Sequence, residues 1–181
     1  DEIIEVVVNN APESKGVLYG SIDIEAHHNI GNNKNLSSLK TLVDVIGEYK
    51  FDNGVKVNGN LKGYHDFVYD LENRTIPNGY ENEINLNELN IELEISPNLD
   101  FKTGRQIVVW GKSDSIRITD ILNPLDNRAP GLVDIKNLRL GRTMSKLDYN
   151  VDNLNLSIIA LHENRFTKNP KSGSDFKLTP D

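Results

Sequence analysis

Hydrophobic and polar residues take turns along most of this chain. Over residues 17–27, Leu18, Ile22, Ile24 and Ala26 fall on one side of an extended backbone; Tyr19, Ser21, Asp23, Glu25 and His27 fall on the other. A period of two over this length predicts a strand with unlike faces. Residues 39–51 repeat it, with Leu39, Thr41, Val43, Val45, Tyr49 and Phe51 opposite Lys40, Asp44, Glu48 and Lys50, and Leu42 and Ile46 as apolar exceptions. Val55, Val57, Gly59, Leu61 and Gly63 then alternate with Lys56, Asn58, Asn60, Lys62 and Tyr64. Leu89, Ile91, Leu93 and Ile95 alternate with Asn90, Glu92 and Glu94. The turn Ser96-Pro97-Asn98 launches a strand over 99–110 that ends on Trp110. A less regular strand follows over 138–149, then Leu154, Leu156, Ile158 and Ala160 alternate with Asn155 and Ser157.

The pattern thus predicts seven strands within 17–162. In front lies a lead, 1–16, whose Glu2-Ile3-Ile4-Glu5-Val6-Val7-Val8 reads as an edge strand broken by Asn9-Asn10-Ala11-Pro12. Behind lies a polar tail, 163–181, with Pro170, Ser172, Gly173 and Pro180. The connections sort by length. Those at 52–54, 96–98 and 151–153 are tight, and those at 28–38, 65–87 and 111–137 are long, in strict alternation. Outer-membrane barrels have this plan, with short turns on one rim and long loops on the other. Strands of about ten residues suit a tilted crossing of a bilayer. The apolar faces carry modest Val, Leu and Ile side chains with Gly20, Gly47, Gly59 and Gly63 among them, whereas a packed soluble core needs larger interlocking residues. Tyr49, Phe51 and Trp110 fall where interfacial aromatics belong. The expected fold is therefore all-β: an antiparallel up-and-down transmembrane β-barrel. Its seven strands leave an odd count, which predicts a larger barrel completed by further strands, by other chains or by the lead.

Composition narrows the picture further. The 181 residues carry 20 Lys and Arg against 27 Asp and Glu, a net charge of -7, which argues against nucleic acid as a partner. There is no cysteine, so disulfide and thiolate-metal frameworks are excluded. No apolar run of about 18 residues is present for a helical span.

One stretch is distinctive. Gly104-Arg105-Gln106-Ile107-Val108-Val109-Trp110-Gly111-Lys112 is followed by Asp120-Ile121-Leu122-Asn123-Pro124-Leu125-Asp126. These G-R-Q-x-x-x-W-G and D-x-x-N-P-x-D patterns resemble a porin-like family of Gram-negative outer-membrane β-barrels, largely of unassigned function. The resemblance implies export to the outer membrane and passage of small solutes through a polar lumen, and brings no catalytic residue with it.

The candidate residues follow from the faces. Asp44, Glu48, Lys56, Lys62, Glu92 and Glu94 are expected to line the lumen. Arg105 shares its face with Phe101, where a lipid-facing arginine would cost about 2–4 kcal/mol. A bulge near Gly104 is therefore expected to turn it inward, towards Glu92 or Glu94. In porins the third long loop often folds into the channel; here it offers Lys112, Asp114, Arg117, Asp120, Asp126 and Arg128 as a constriction, with a short surface turn as the alternative. His27, His28, His65 and His162, and the acids Asp148 and Asp152, lack metal-ligand spacing, and the hydrolase and phosphate-loop motifs are absent. Neither a cofactor nor an enzymatic activity is expected. The expected partners are a lipid bilayer and small solutes, with a homo-oligomer as one way to complete the barrel. The alternatives are a soluble all-β module binding glycan or lipid, and a structural envelope protein.

Overall fold

A computed structural model of the chain describes residues 4–8, 15–29, 36–71, 76–109, 121–133, 135–172, 174, 176 and 177; for 4–8, 135 and 136 the backbone alone is described. The strands are β1 Ile4–Val8, β2 Gly16–His28, β3 Leu36–Lys50, β4 Lys56–Asp66, β5 Asn82–Ser96, β6 Leu99–Gln106, β7 Arg142–Val151 and β8 Leu154–Leu161. Two single-turn helices, α1 Val68–Leu71 and α2 Ile135–Leu138, sit in the second and third long connections. Each strand pairs antiparallel with the next, giving one eight-stranded meander in chain order. The lead supplies β1, paired from Ile4 opposite Ile22 to Val8 opposite Leu18.

The sheet does not close on itself among the described residues. β1 and β8 are the two edges of an open sheet, and among the described residues they do not pair with each other.

The register keeps the two faces apart across the whole sheet. One row runs Ile22, Val43, Gly63, Ile84; the next runs Gly20, Val45, Leu61, Leu86. Further along, Tyr49, Val57, Ile91 and Thr103 are neighbours, as are Leu93, Phe101, Leu147 and Ile158. All of these lie on one side, and that side is open: Val45 is 37% exposed, Ile91 43% and Ile158 58%. The other side is polar, and the buried residues include Asn60, Asn87, Asn90, Gln106 and Arg128. A soluble sheet buries its apolar side and wets its polar one; this sheet does the reverse.

Local chemistry fixes the turns. In Asp52-Asn53-Gly54, Gly54 has φ +85° and its N–H donates to Phe51 O at 3.0 Å. Asp152 takes φ +48° in the β7–β8 turn, which Asp tolerates better than most residues. The tight turns all lie at one edge of the sheet and α1 and α2 at the other.

The boundaries depart from the sequence pattern in two places. β5 begins at Asn82, seven residues before the alternation becomes legible at Leu89. The register slips between Asn60 and Leu61, where Glu88 and Leu86 are the successive partners. The extra residue, Asn87, reverses the parity of everything before it, so period counting breaks there. β6 ends at Gln106 rather than at Trp110, which lies outside the described residues.

Gly104 is the tightest backbone position in β6. It has φ +118°, and a Cβ there would sit 2.4 Å from Leu89 O and 2.9 Å from Asn90 Cα. Gly104→Ala should destabilise the fold by about 2 kcal/mol or more. Gly59→Ala, whose Cβ would meet nothing closer than 3.9 Å, should cost less than about 1 kcal/mol. Urea unfolding followed by circular dichroism checks the contrast; equal midpoints for the two variants would contradict it.

Candidate functional site

On the polar face several charges lie beside one of opposite sign, although Lys102 faces Lys146 and Asp100 faces Asp148 between β6 and β7. Asp44 and Lys62 are register partners with a 3.3 Å ion pair. Glu92 accepts from Lys56 at 3.3 Å and lies 3.9 Å from Lys102. Lys146 pairs with Asp148 at 2.6 Å. Asn58 Nδ2 donates to Asn90 Oδ1 at 3.1 Å, and Asn60 donates to Asp44. Asp44, Lys56, Asn58, Asn60, Lys62, Glu92 and Lys102 floor a cavity of about 590 Å³. Of the sequence-predicted lumen residues, Asp44, Glu48, Lys56, Lys62 and Glu92 all line it. Glu94 shares their face but is exposed towards the tight-turn edge.

Arg105 departs from expectation. Gly104 does supply an unusual backbone, but the ladder keeps Arg105 opposite Leu89 and Thr143, on the side away from Glu92 and Glu94. Its guanidinium is neutralised where it stands: Nη2 donates to Glu163 at 2.8 Å and Nη1 to Leu86 O at 3.4 Å. Glu163, from the tail, also accepts from Thr143 N at 3.0 Å and Oγ1 at 2.9 Å. Burial pushes the Glu163 carboxyl up, and the bonds from Thr143 with the charge of Arg105 outweigh it and hold it below its ordinary value.

At the long-loop edge, the third long connection lies against the polar face. Asn123 anchors its start: its amide donates to Val108 O at 2.7 Å and accepts from Val108 N at 3.2 Å. Leu125 bridges Arg139, and Asp126 bridges Lys168 of the tail. Arg128 then reaches across to the sheet. It is bonded to Asp126, Glu83, Tyr64 Oη and Gly79 O, and Lys168 pairs with Glu83 as well. Between this segment and strands β2 to β5 lies a second cavity of about 370 Å³, lined by Asp23, Asp44, Lys62, Tyr64 and Arg128 among others. Two of the six expected constriction residues, Asp126 and Arg128, thus meet over the polar face. Lys112, Asp114, Arg117 and Asp120 lie outside the described residues.

The sequence pattern missed three partners of this cluster. Glu83 falls before the Asn87 bulge, in a stretch expected to be loop. Tyr64 was on the polar face by alternation, but nothing local marks its hydroxyl as a ligand for Arg128. Lys168 belongs to a tail with no periodic signal. Burial pushes the Asp126 carboxyl up, and the guanidinium of Arg128 more than reverses this, holding it below its ordinary value. Burial opposes the charge on Arg128, and Asp126 overrides it, so the guanidinium is held more firmly protonated than usual.

The arrangement is one of charge-neutralised polar walls around water-sized and larger space. Among the described residues no three His, Asp or Glu side chains converge as metal ligands, and His65 and His162 are bonded to Asp70 and Ser145, both on the outer side of the sheet.

The model of one protein family matches residues 7–174, nearly the full chain, and its description reads protein of unknown function (DUF1302). The chain belongs to this family. No curated protein and no solved structure matches it. In this member of the DUF1302 family the match runs from the end of β1 to the tail residues beyond Lys168, so it takes in strands β2 to β8 and both cavities.

Removing Arg128 leaves Lys168 alone to offset both Glu83 and Asp126, and leaves Tyr64 Oη and Gly79 O without its bonds. Arg128→Met should release the segment 121–133 from the sheet, at a cost of about 3–5 kcal/mol. Hydrogen exchange of that segment should quicken while β3 and β4 stay protected; unchanged exchange would contradict it. The pH dependence has a definite sign. A lowered Asp126 value contributes stability that is complete above the ordinary 3.8 and is lost as pH falls through the lowered folded value. The segment should therefore stay docked at neutral pH and loosen only below about pH 4, which exchange measured at several pH values would show.

Proposed function

We propose that this chain forms the wall of a transmembrane β-barrel in a Gram-negative outer membrane and acts as a porin-like channel for small solutes. The observation that carries the reading is the inverted sheet. Its apolar rows are largely open, while most of its charges are gathered on the opposite face and many are paired there. Hydrocarbon outside and water inside account for both halves of that pattern.

Dimensions support the same reading. Residues 41–51, from Thr41 to Phe51, cover about 34 Å along the strand. A tilt of about 40° brings this near the height of about 25 Å expected for a lipid-facing band. Aromatic residues mark both borders: Tyr49 and Phe51, with rings 4.7 Å apart, near the tight turns, and Phe67 against His65, 4.6 Å apart, near α1. The free edges of β1 and β8 fit a wall that further strands complete, because unpaired backbone groups in hydrocarbon cost several kcal/mol each. The segment carrying Asp126 and Arg128 then narrows the lumen from the long-loop side. A soluble binding module has to hide Val45, Ile91 and Ile158 in a dry interior, and here they are exposed.

The proposal is tested on both faces. Val45→Arg should lower stability in lipid vesicles by about 2–4 kcal/mol, whereas Asn58→Lys on the opposite face should change it little. In a soluble sheet, an arginine at an already exposed position would be near neutral. Purified protein should require detergent and should give conductance steps in planar bilayers. Full solubility without detergent, or a tolerant Val45→Arg, would overturn the reading.

A further inference from the structure

The ion pairs of the polar face leave several charges out, and two of opposite sign among them are neighbours. Glu25 of β2 and Lys40 of β3 are direct cross-strand partners. Neither side chain makes a hydrogen bond or ion pair with a described residue; the carboxylate opposite Lys40 on β4, that of Asp66, is bonded to Ser38 Oγ at 2.7 Å and Leu39 N at 2.8 Å instead. The contact Lys40 does make is with a ring, its Nζ lying 4.9 Å from the centroid of Tyr64. The other cations around the cavity are committed: Lys62 to Asp44, Arg128 to Asp126 and Glu83, and Lys168 to Glu83. Both residues line a chamber of about 150 Å³ under the third long connection, whose remaining wall includes the apolar Leu42 and Val133. Leu42 and Val133 also line the 370 Å³ cavity, so the two spaces adjoin.

A half-buried ammonium over an aromatic ring is only partly compensated, since such a contact is worth about 0.5–2 kcal/mol. A carboxylate facing it offers a stronger, charge-assisted bond. The same holds for Glu25 with an ammonium. Cross-strand partners on one face stand about 5 Å apart at Cβ, so one small molecule can reach both. We propose that this chamber binds an α-amino acid or a zwitterion of similar size. The solute carboxylate sits on Lys40 Nζ, its ammonium on Glu25, and its side chain against Leu42 and Val133. The inference rests on the channel reading for the route the solute takes, and names the solute class for it.

Calorimetric titration of the detergent-solubilised full chain with leucine tests the site. Leucinamide, which lacks the carboxylate, and N-acetylleucine, which lacks the ammonium, serve as comparisons. Leucine should bind at least about tenfold more tightly than either. Lys40→Met should abolish the preference over leucinamide and keep that over N-acetylleucine; Glu25→Gln should do the opposite. Lys40→Arg should retain both preferences, which guards against a merely misfolded Lys40→Met. Equal affinity for all three compounds, or leucine binding untouched by both variants, would overturn the proposal. Bilayer recordings separate the two readings. A conducting channel insensitive to leucine removes the zwitterion site and leaves the channel; the crossed ligand preferences without any conductance keep the site and remove the channel.

Discussion

Everything in this sheet depends on the period of two. A strand that alternates collects its charges on one face, and such strands in register collect them into one field, with Arg105 as the exception on β6. Many of these charges find an opposite on the next strand or two residues along their own, although Lys102 faces Lys146 and Asp100 faces Asp148 between β6 and β7. Asp44 meets Lys62, Lys56 and Lys102 flank Glu92, and Lys146 meets Asp148. Exposed pairs of this kind contribute little singly, about 0–1 kcal/mol. Their larger effect is on register. A slip of one residue would carry every lysine and acid to the apolar face and every Val and Ile to the charged one. The pairing therefore specifies the sheet more than it stabilises it.

The same rule explains what covers the polar face. A field of paired charges is poor packing for apolar side chains, so the segment laid over it docks with polar groups. Asn123 satisfies both backbone groups of Val108, and Arg128 bonds acceptors from β4, β5 and the second long connection. Arg suits that position because its planar group carries five donors in fixed directions and stays charged. Lys would satisfy fewer of these acceptors. The tail reinforces the dock through Lys168 on Glu83 and Glu163 on Arg105.

The strands and their faces were legible in the sequence because they rest on local periodicity, and so was the sorting of tight and long connections. Asp44, Glu48, Lys56, Lys62 and Glu92 were placed correctly by parity alone. The start of β5 was not legible, because one extra residue at Asn87 reverses parity and hides Glu83 in an apparent loop. The partners of Arg128 were not legible either. They come from three separate stretches, Tyr64, Glu83 and Lys168, and nothing periodic links them. Closure was also beyond local pattern: alternation fixes the face of each strand, not the pairing of the sheet's two edges.

The Gly104-Arg105-Gln106 motif shows how parity and chemistry are reconciled. An arginine on the apolar side of β6 looks like a residue that must be turned over. Instead the backbone leaves it there and brings an acid to it. Gly104, at φ +118°, lets β6 press against Leu89 O, an approach that any side chain would block. That closeness sets Arg105 within 3.4 Å of Leu86 O and in reach of Glu163. It also leaves Gln106 wholly buried on the other face, with Nε2 donating to Met144 O at 2.9 Å. Glycine, arginine and glutamine thus have one joint task, to end β6 firmly and tie it to β7 and to the tail. The motif is a structural lock at the long-loop edge, and the residues that line the 590 Å³ cavity lie mostly elsewhere, on strands whose pattern looked ordinary.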